Sequence, residues 1–267
     1  MENNSTPFHS SAADALNPHK LLKDGELLDQ LCAQSQNMAL CKGTLAANAG
    51  SFSVSADTEQ ELAIMFLDIR NFTGLMESRP AKEVVQVVRR LFSGFNQIIN
   101  HFKGTVVEMA GDSLYAVFGL STDIKEAINQ GYEAAKNIFS TISWFNDAYA
   151  TPYYNHPLEI GIGLHTGNVV VGQFGLQSPA QLSVMGLPVN IASRLQAKTK
   201  EVNNDMLISE EAYRHLEANN EKHEQRTVNL KGISLPQMVR LLGKPYLKRF
   251  TANGNSQDMD YLLAISG

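Results

Sequence analysis

The spacing of hydrophobic residues changes abruptly near residue 61. LAIMFLDI (62–69) is a continuous apolar run that ends in a lone acid, Asp68, and this pattern is typical of a strand buried on both faces. Apolar residues then recur at three- and four-residue steps from Val84 to Phe102. This second pattern predicts an amphipathic helix that starts after Ser78 and Pro80 and ends near His101.

Downstream patterns predict further strands and helices. TVVEM and SLYAVFG indicate two strands joined by the tight turn Ala110-Gly111-Asp112, a hairpin with an acid at its tip. A second helix is expected from about Thr122 to Tyr149, and a connecting loop at Tyr153–His156. IGIGLHTGNVVVGQFG, preceded by a strand from Leu158, indicates short strands and bends.

The last third of the chain completes an α+β pattern. Pro188 opens a helix carrying VNIASRLQAKTK, and MLIS, EEAYRHLE, RTVNLKGIS and PQMVRLLG predict a strand, a short helix and a closing pair of strands. The order predicts a ferredoxin-like βαββαβ core sheet with helices packed on it and additional strands. We expect an appendage at 1–58, largely flexible with one short helix between Leu21 and Met38, a main domain at 59–245 and a tail at 246–267.

Composition excludes several classes of protein. The 267 residues carry 22 Lys and Arg against 27 Asp and Glu, a net charge of -5 that argues against nucleic-acid binding. Cys32 and Cys41 are predicted to be free thiols, and the N-terminal residues lack a signal-peptide pattern. The segment 160–193 has no charged residue, but polar residues, Gly and Pro interrupt it. We therefore expect a cytoplasmic protein without a membrane span.

Asp68 and Asp112 are the candidate chemical groups. Burying two carboxylates near each other is costly unless a cation neutralises them, and few oxygen ligands suit Mg²⁺ or Mn²⁺ completed by substrate phosphates. Two loop aspartates that cap local backbone are the alternative. His165 lies among apolar residues and is expected to be a core histidine. Neither a P-loop nor a G-x-G-x-x-G pattern occurs.

Four stretches resemble the class III nucleotidyl cyclases, the family of adenylyl and guanylyl cyclase catalytic domains. They are MFLDIRNFTGLME, GTVVEMAGDSLYAVFG, IGIGLHTGNVVVGQFG and VMGLPVNIASRLQAKTK, in the family's order and spacing. The resemblance covers about Glu61 to Leu242. It implies the class III cyclase fold and a nucleoside triphosphate substrate, converted to a 3′,5′-cyclic nucleotide and pyrophosphate in active sites at a homodimer interface.

The resemblance also implies roles for individual residues, which follow the family's motifs. Two Mg²⁺ or Mn²⁺ ions per site would be held by Asp68, Asp112 and the backbone carbonyl of Ile69. The backbone of Asn71, Phe72 and Thr73 would cradle the triphosphate. From the partner subunit, Asn190 would orient the ribose and Arg194 would stabilise charge on the phosphorus oxygens. Lys231 matches a lysine region that lies near the phosphates in the family. A solvated surface pair is the alternative for Asn190 and Arg194.

Two positions bear on the base. Members of the family that use ATP have Lys at the position of Glu108, whereas guanylyl cyclases have Glu there, as this chain does. Ser183 stands where guanylyl cyclases usually have Cys. A carboxylate can accept from guanine N1-H and its amine, and a hydroxyl can donate to O6, while uracil N3-H and O4 offer a comparable pattern. We rank GTP first, UTP close second and ATP third. Leu187-Pro188 departs from the family pattern.

Other functions stay open. UTP is supported further because pyrimidine-nucleotide cyclases of bacterial antiphage defence belong to this family and are often short chains. A catalytically silent cyclase-like domain for dimerisation or nucleotide sensing is disfavoured because both aspartates and the Asn/Arg pair are present. A diguanylate cyclase is disfavoured because no G-G-[DE]-[DE]-F run occurs.

Overall fold

The computed structural model describes residues 57–174, 181–217 and 223–247. The predicted N-terminal helix, both cysteines and most of the predicted tail lie outside these residues. The described strands are β1 (Thr58–Ile69), β2 (Thr105–Ala110), β3 (Ser113–Phe118), β4 (Ile160–Phe174), β5 (Gln181–Met185), β6 (Met206–Ser209), β7 (Glu224–Val228) and β8 (Gln237–Leu241). The described helices are α1 (Phe72–Ser78), α2 (Ala81–His101), α3 (Ile124–Phe145), α4 (Thr151–Tyr154), α5 (Leu187–Val202) and α6 (Glu210–Tyr213).

One sheet in the order β2-β3-β1-β4-β6-β8-β7 forms the framework, and β5 pairs with β4. The first four strands in this order pair antiparallel, which is the predicted βαββαβ core. β4 and β6 are parallel, whereas β8 runs antiparallel to both β6 and β7. The predicted α+β fold class is therefore confirmed.

β1 is buried on both faces, as its continuous apolar run predicts. The side chains of Ala63, Met65 and Leu67 join the cluster formed with α2 and α3. The alternate side chains, Leu62, Ile64 and Phe66, join a second cluster with β5 and the start of α5. This alternation follows from the two-residue period of a strand, so helices must cover both faces of the sheet.

β4 is one strand of 15 residues, whereas the sequence predicted short strands and bends. Its glycines mark close approaches of other groups rather than bends. A Cβ built on Gly163 would lie 2.4 Å from the backbone nitrogen of Gln196, because α5 crosses the sheet there. A Cβ built on Gly161 would lie 1.6 Å from Nη2 of Arg70. Glycine is needed where another group occupies the space of a side chain.

Helix boundaries also differ from the prediction. α3 ends at Phe145 and continues through a π-helical turn into α4, where a loop was expected. The Asn146 side chain explains the change in path, since it donates to the Leu158 carbonyl at 2.8 Å and accepts from the Leu158 N–H at 2.7 Å. α1 was not predicted, because it has only seven residues and follows Asn71 in the left-handed conformation. Within the described part of the chain, no helix is both long and apolar enough to cross a bilayer.

His165 lies in the core as expected. It is 5% exposed, and its Nδ1 lies 2.8 Å from the Ser209 hydroxyl, which also caps α6. Burial lowers the pKa of the imidazole from 6.5 to about 4, although the charge of Glu211 partly opposes this change. The histidine is therefore neutral near neutral pH.

This lowered pKa predicts a pH-dependent stability. Unfolding returns the His165 pKa to about 6.5, so its contribution is complete above that pH and is lost as the pH falls towards 4. We expect the free energy of unfolding in urea to fall by about 2 kcal/mol between about pH 7 and pH 5. His165→Asn should remove most of this change, whereas the exposed-site control His101→Asn should retain it. Equal pH dependence in both variants would contradict the assignment.

Candidate active site

Asp68 lies at the end of β1 between two strands. Ser113 of β3 pairs with it on one side, and Gly161 of β4 pairs with it on the other. Its Oδ1 accepts from Arg70 Nη1 at 2.8 Å, and its Oδ2 accepts from the Ser113 hydroxyl at 3.1 Å. The side chain is 15% exposed, so the carboxylate is fixed by the protein and still reaches solvent.

Asp112 lies at the turn between β2 and β3. Gly111 has a φ of 60°, a left-handed conformation that this tight turn requires. The Asp112 carbonyl accepts from the backbone N–H of Ile69 at 3.0 Å, which joins the hairpin tip to the end of β1. The structure therefore brings Asp68, Ile69 and Asp112 to the same end of the sheet.

The segment after Ile69 turns sharply into α1. Asn71 has a φ of 56°, and its carbonyl accepts from the Leu75 N–H at 3.1 Å. A Cβ on Gly74 would lie 2.6 Å from the Asn71 side-chain oxygen, so glycine allows that amide to fold over the helix. Phe72 and Thr73 form the first turn of α1. Asn71, Phe72 and Thr73 thus follow directly after Asp68 and Ile69.

A pocket of about 400 Å³ lies beside this end of the sheet. Three predicted site residues line it together, Glu108, Ser183 and Asn190. The other lining residues are mostly apolar: Phe66, Val107, Ala110, Ser113, Leu114, Tyr115, Val184, Met185, Gly186, Leu187 and Val189. Ser113 connects the pocket to Asp68 through the hydrogen bond between them.

A β-bulge directs Glu108 into the pocket. The pairing of β2 with β3 shifts between Val106 and Glu108, so Val107 is an additional residue in the ladder. Val107 and Glu108 both line the pocket, although consecutive residues of a regular strand face opposite sides. Partial burial raises the pKa of the Glu108 carboxyl. Hydrogen-bond donors from a bound molecule would favour its ionised form.

Tyr115 lines the pocket and holds two of its strands together. Its ring stacks on Phe66 with centroids 4.6 Å apart, and its hydroxyl donates to the Val184 carbonyl at 3.3 Å. Val184 follows Ser183 in β5, and Tyr115 of β3 pairs with Glu108 of β2. The hydrogen bond therefore links β5, which carries Ser183, to the β2–β3 hairpin, which carries Glu108. Glu108 and Ser183 consequently line the same pocket, and the Tyr115 hydrogen bond holds their strands together.

α5 carries two predicted site residues, Asn190 and Arg194, and the loop bearing Lys231 lies beside it. Gly186 precedes it with a φ of 148°, and Pro188 lies in its first turn, where no backbone donor is needed. Asn190 is in the pocket, and Arg194 follows one turn later. A Cβ on Gly232 would lie 3.8 Å from Nη2 of Arg194, which brings the loop bearing Lys231 beside this arginine.

Residues 54–243 match the family described as the adenylate and guanylate cyclase catalytic domain. The chain belongs to this family.

Several curated relatives of this cyclase domain match at similar identity. Adenylate cyclase 1 of Rhizobium meliloti is 30% identical over 161 residues, which are 60% of this chain and 24% of that protein. The receptor-type guanylate cyclase gcy-23 of Caenorhabditis elegans is 32% identical over 152 residues, 55% of this chain and 14% of that protein. The chain thus matches about a quarter or less of either relative's length.

Solved structures agree with the fold of this cyclase domain. The guanylyl cyclase Cya2 has a TM-score of 0.58 at 27% identity, with 73% of this chain and 98% of that chain covered. The adenylyl cyclase CyaB from P. aeruginosa has a TM-score of 0.57 at 24% identity, with 73% and 100% covered. The neighbours include both adenylyl and guanylyl cyclases, so the fold alone does not identify the base.

The donors at the end of β1 fit a hard divalent cation. Asp68 and Asp112 would supply carboxylate oxygens and Ile69 a backbone carbonyl oxygen, and oxygen donors suit Mg²⁺ and Mn²⁺. Among the described residues, no cluster of three or more His, Cys, Asp or Glu side chains could hold a metal ion. A cation here would therefore need further oxygens from water or from a phosphate-bearing ligand.

Sequence reasoning did not single out Arg70, Ser113 or Tyr115. Arg70 and Ser113 both bond to the Asp68 carboxylate, and Tyr115 braces the pocket. Arg70 did leave a signal, since it directly follows a long apolar strand where a charged residue needs a partner. Ser113 and Tyr115 lie in an ordinary strand pattern and could not be distinguished from core residues.

Proposed function

We propose that the protein is a nucleotidyl cyclase that converts a nucleoside triphosphate to a 3′,5′-cyclic nucleotide and pyrophosphate. One observation carries the proposal most directly: a chain of this family brings two aspartates to one end of its sheet and also carries a pocket lined by Glu108, Ser183 and Asn190. The carboxylates suit divalent cations, which in turn bind the phosphates of a substrate. The pocket suits a base and a ribose.

The proposed reaction forms one phosphorus–oxygen bond and breaks another. The ribose 3′-oxygen attacks the α-phosphorus, and the proton of the 3′-hydroxyl passes to solvent water. The bond from that phosphorus to the bridging oxygen breaks, and its electron pair leaves with pyrophosphate. When bound, two divalent cations would lower the pKa of that hydroxyl and shield the leaving pyrophosphate. Asp68, Asp112 and the carbonyl of Ile69 would hold these cations.

Other residues orient the substrate and stabilise its charge. The backbone of Asn71, Phe72 and Thr73 would hold the triphosphate, and Asn190 would orient the ribose. Arg194, with Lys231 on the neighbouring loop, would stabilise charge on the phosphorus oxygens. Arginine suits this role because its fixed guanidinium can donate two hydrogen bonds to one phosphate.

The pocket favours GTP, then UTP, over ATP. Glu108 can accept from the N1-H of guanine or the N3-H of uracil, and the Ser183 hydroxyl can donate to the adjacent carbonyl oxygen. Adenine N1 is an acceptor and would face the Glu108 carboxylate unfavourably. A mismatched base would leave buried polar groups unpaired, which enzymes can reject by about 10⁴-fold.

A homodimer would complete the site. Three large apolar side chains lie exposed at or next to the pocket, Met109 at 57%, Met185 at 50% and Leu187 at 60%. Exposed apolar surface of this kind is typical of an interface. In the proposed dimer, Asp68 and Asp112 of one subunit and Asn190 and Arg194 of the other contact the same nucleotide.

Removing a metal ligand should abolish the reaction. We expect Asp112→Ala to reduce formation of cyclic nucleotide and pyrophosphate by at least about 10³-fold. A bound cation stabilises the charge of the transition state by several kcal/mol, and the variant would lose that contribution. The exposed control Asp147→Ala should retain wild-type activity. The measurement is product formation with Mn²⁺, alongside circular dichroism to verify folding. A folded Asp112→Ala protein with normal turnover would contradict the metal assignment.

Exchanging the polar groups of the pocket should change the preferred base. Glu108→Lys combined with Ser183→Asp supplies a donor for adenine N1 and an acceptor for its amine, so the ratio of ATP to GTP turnover should rise at least about tenfold. Competition assays on wild type, the double variant and the exposed control Glu59→Lys measure this ratio. A wild-type protein that already prefers ATP over GTP and UTP would contradict the proposed roles of Glu108 and Ser183.

Two inactive variants should complement each other. Each composite site takes its aspartates from one subunit and Arg194 from the other. In a mixed dimer of Asp112→Ala and Arg194→Ala, one site therefore contains both substitutions and the other site contains neither. Random exchange makes about half of the dimers mixed, each with one working site, so activity should recover to about a quarter of wild type.

The complementation measurement requires proof of subunit exchange. Native mass spectrometry of the mixture, with one variant isotopically labelled, reports the fraction of mixed dimers. Mixed dimers without recovered activity would show that each site is built within a single subunit.

A further inference from the structure

Arg70 lies buried behind the metal-ligand candidate Asp68. Its side chain is 1% exposed, and Nη1 donates to Asp68 Oδ1 at 2.8 Å. Its Nε donates to the Tyr246 hydroxyl at 3.1 Å, and Nη2 donates to the Gln196 carbonyl at 3.0 Å and to the Thr199 hydroxyl. The guanidinium therefore joins the end of β1 to α5 and to the C-terminal end of the described chain.

The hydrogen bonds around Arg70 form a closed circuit with consistent donor directions. The Tyr246 hydroxyl accepts from Arg70 and donates to the Thr199 hydroxyl at 2.9 Å. Thr199 in turn donates to the Gln196 carbonyl at 2.6 Å. Arg70 is also 5.5 Å from the Tyr246 ring centroid, a cation–π contact. A buried circuit of this kind restricts the guanidinium to one position.

The segment that carries Tyr246 is itself held against the sheet. The Lys244 N–H donates to Asp205 Oδ1 at 2.7 Å, and the Asp205 N–H donates back to the Lys244 carbonyl at 2.9 Å. The Leu247 N–H donates to Glu159 Oε1 at 2.7 Å. Tyr246, between these anchors, is 5% exposed. Its hydroxyl is thus a fixed partner for Arg70, although it follows the predicted domain boundary at residue 245.

Gly161 leaves space for the guanidinium. It pairs directly with Asp68, and a Cβ at this position would lie 1.6 Å from Arg70 Nη2. Because Nη2 is at the far end of a flexible side chain, an added methyl group would displace the guanidinium before it displaced the strand. The Arg70 guanidinium therefore occupies the space that a side chain at position 161 would fill, and from there it reaches α5.

We propose that Arg70 and Tyr246 are positioning residues, which orient the Asp68 carboxylate for divalent cations. The inference rests on the proposed function, because Asp68 matters here as a metal ligand. Arg70 and Ser113 each occupy one carboxylate oxygen. Each oxygen keeps a second lone pair, so the two bonds fix the rotation of the carboxylate and leave lone pairs for a cation. Groups that hold metal ligands in this way typically contribute 10- to 100-fold to metal affinity.

Tyr246→Phe tests this role without changing any charge. It removes the hydroxyl between Arg70 and Thr199 and keeps the ring beside the guanidinium. The control Tyr213→Phe also removes a hydroxyl from a largely buried tyrosine, whose partner is His223 at 3.4 Å. We expect Tyr246→Phe to weaken Mn²⁺ binding about tenfold, and the control to change it less than about twofold.

Calorimetric titration of MnCl₂ into the full-length protein with 3′-deoxyGTP or 3′-deoxyUTP measures the affinity, since these analogues lack the attacking hydroxyl. Turnover of Tyr246→Phe should recover towards wild type at saturating Mn²⁺, which general loss of structure would not allow. Gly161→Ala, which displaces Arg70 by a different route, should weaken Mn²⁺ binding in the same direction. Tyr246→Phe with wild-type Mn²⁺ affinity would overturn the inference. Wild-type protein that binds no Mn²⁺ with either analogue would contradict the proposed base preference, and the same result with 3′-deoxyATP and 3′-deoxyCTP as well would overturn the proposed function itself.

Discussion

A carboxylate at the end of a central strand that is buried on both faces is the constraint on which this structure depends. Asp68 loses most of its hydration there, so the protein must supply partners for its charge. Ser113 from one neighbouring strand and Arg70 from the next turn provide them. Arg70 in turn requires Tyr246, Thr199 and the space above Gly161. Hydrogen bonds that begin at the Asp68 carboxylate therefore link β1 to α5 and to the segment that carries Tyr246.

The same strand arrangement builds the pocket. β3 pairs with β1 and thereby brings the hairpin tip, with Asp112, to the end of β1. The bulge in β2 then directs Glu108 towards β5 and α5. The chain thus carries two chemical surfaces, an acidic end and a largely apolar pocket with a few polar groups. In the proposed two-fold dimer, the acidic end of one subunit would meet the pocket of the other.

The sequence was most informative where burial conflicts with polarity. Asp68 and Asp112 could be singled out because each interrupts or follows an apolar strand, and the apolar run of β1 predicted burial on both faces. Glu108 and Ser183 have no such signal of their own and were selected only through the family resemblance. The glycines of β4 were misinterpreted as bends, because a close approach of Arg70 or α5 leaves no local pattern.

Contacts between distant residues were beyond the sequence. Arg70 and Tyr246 are 176 residues apart, and neither position predicts the other. The bulge at Val107 likewise depends on the pairing of two strands rather than on a residue type. Such features arise from tertiary packing, which a single sequence records only as an unexplained polar residue or glycine.

The proposed activity is conversion of a nucleoside triphosphate to a 3′,5′-cyclic nucleotide. Incubation of the purified protein with each of the four ribonucleoside triphosphates and Mn²⁺, followed by mass spectrometry of the products, tests it most directly. We expect a 3′,5′-cyclic nucleotide and pyrophosphate, formed fastest from GTP, then UTP. Release of a nucleoside diphosphate and phosphate, or no product from any of the four, would contradict it.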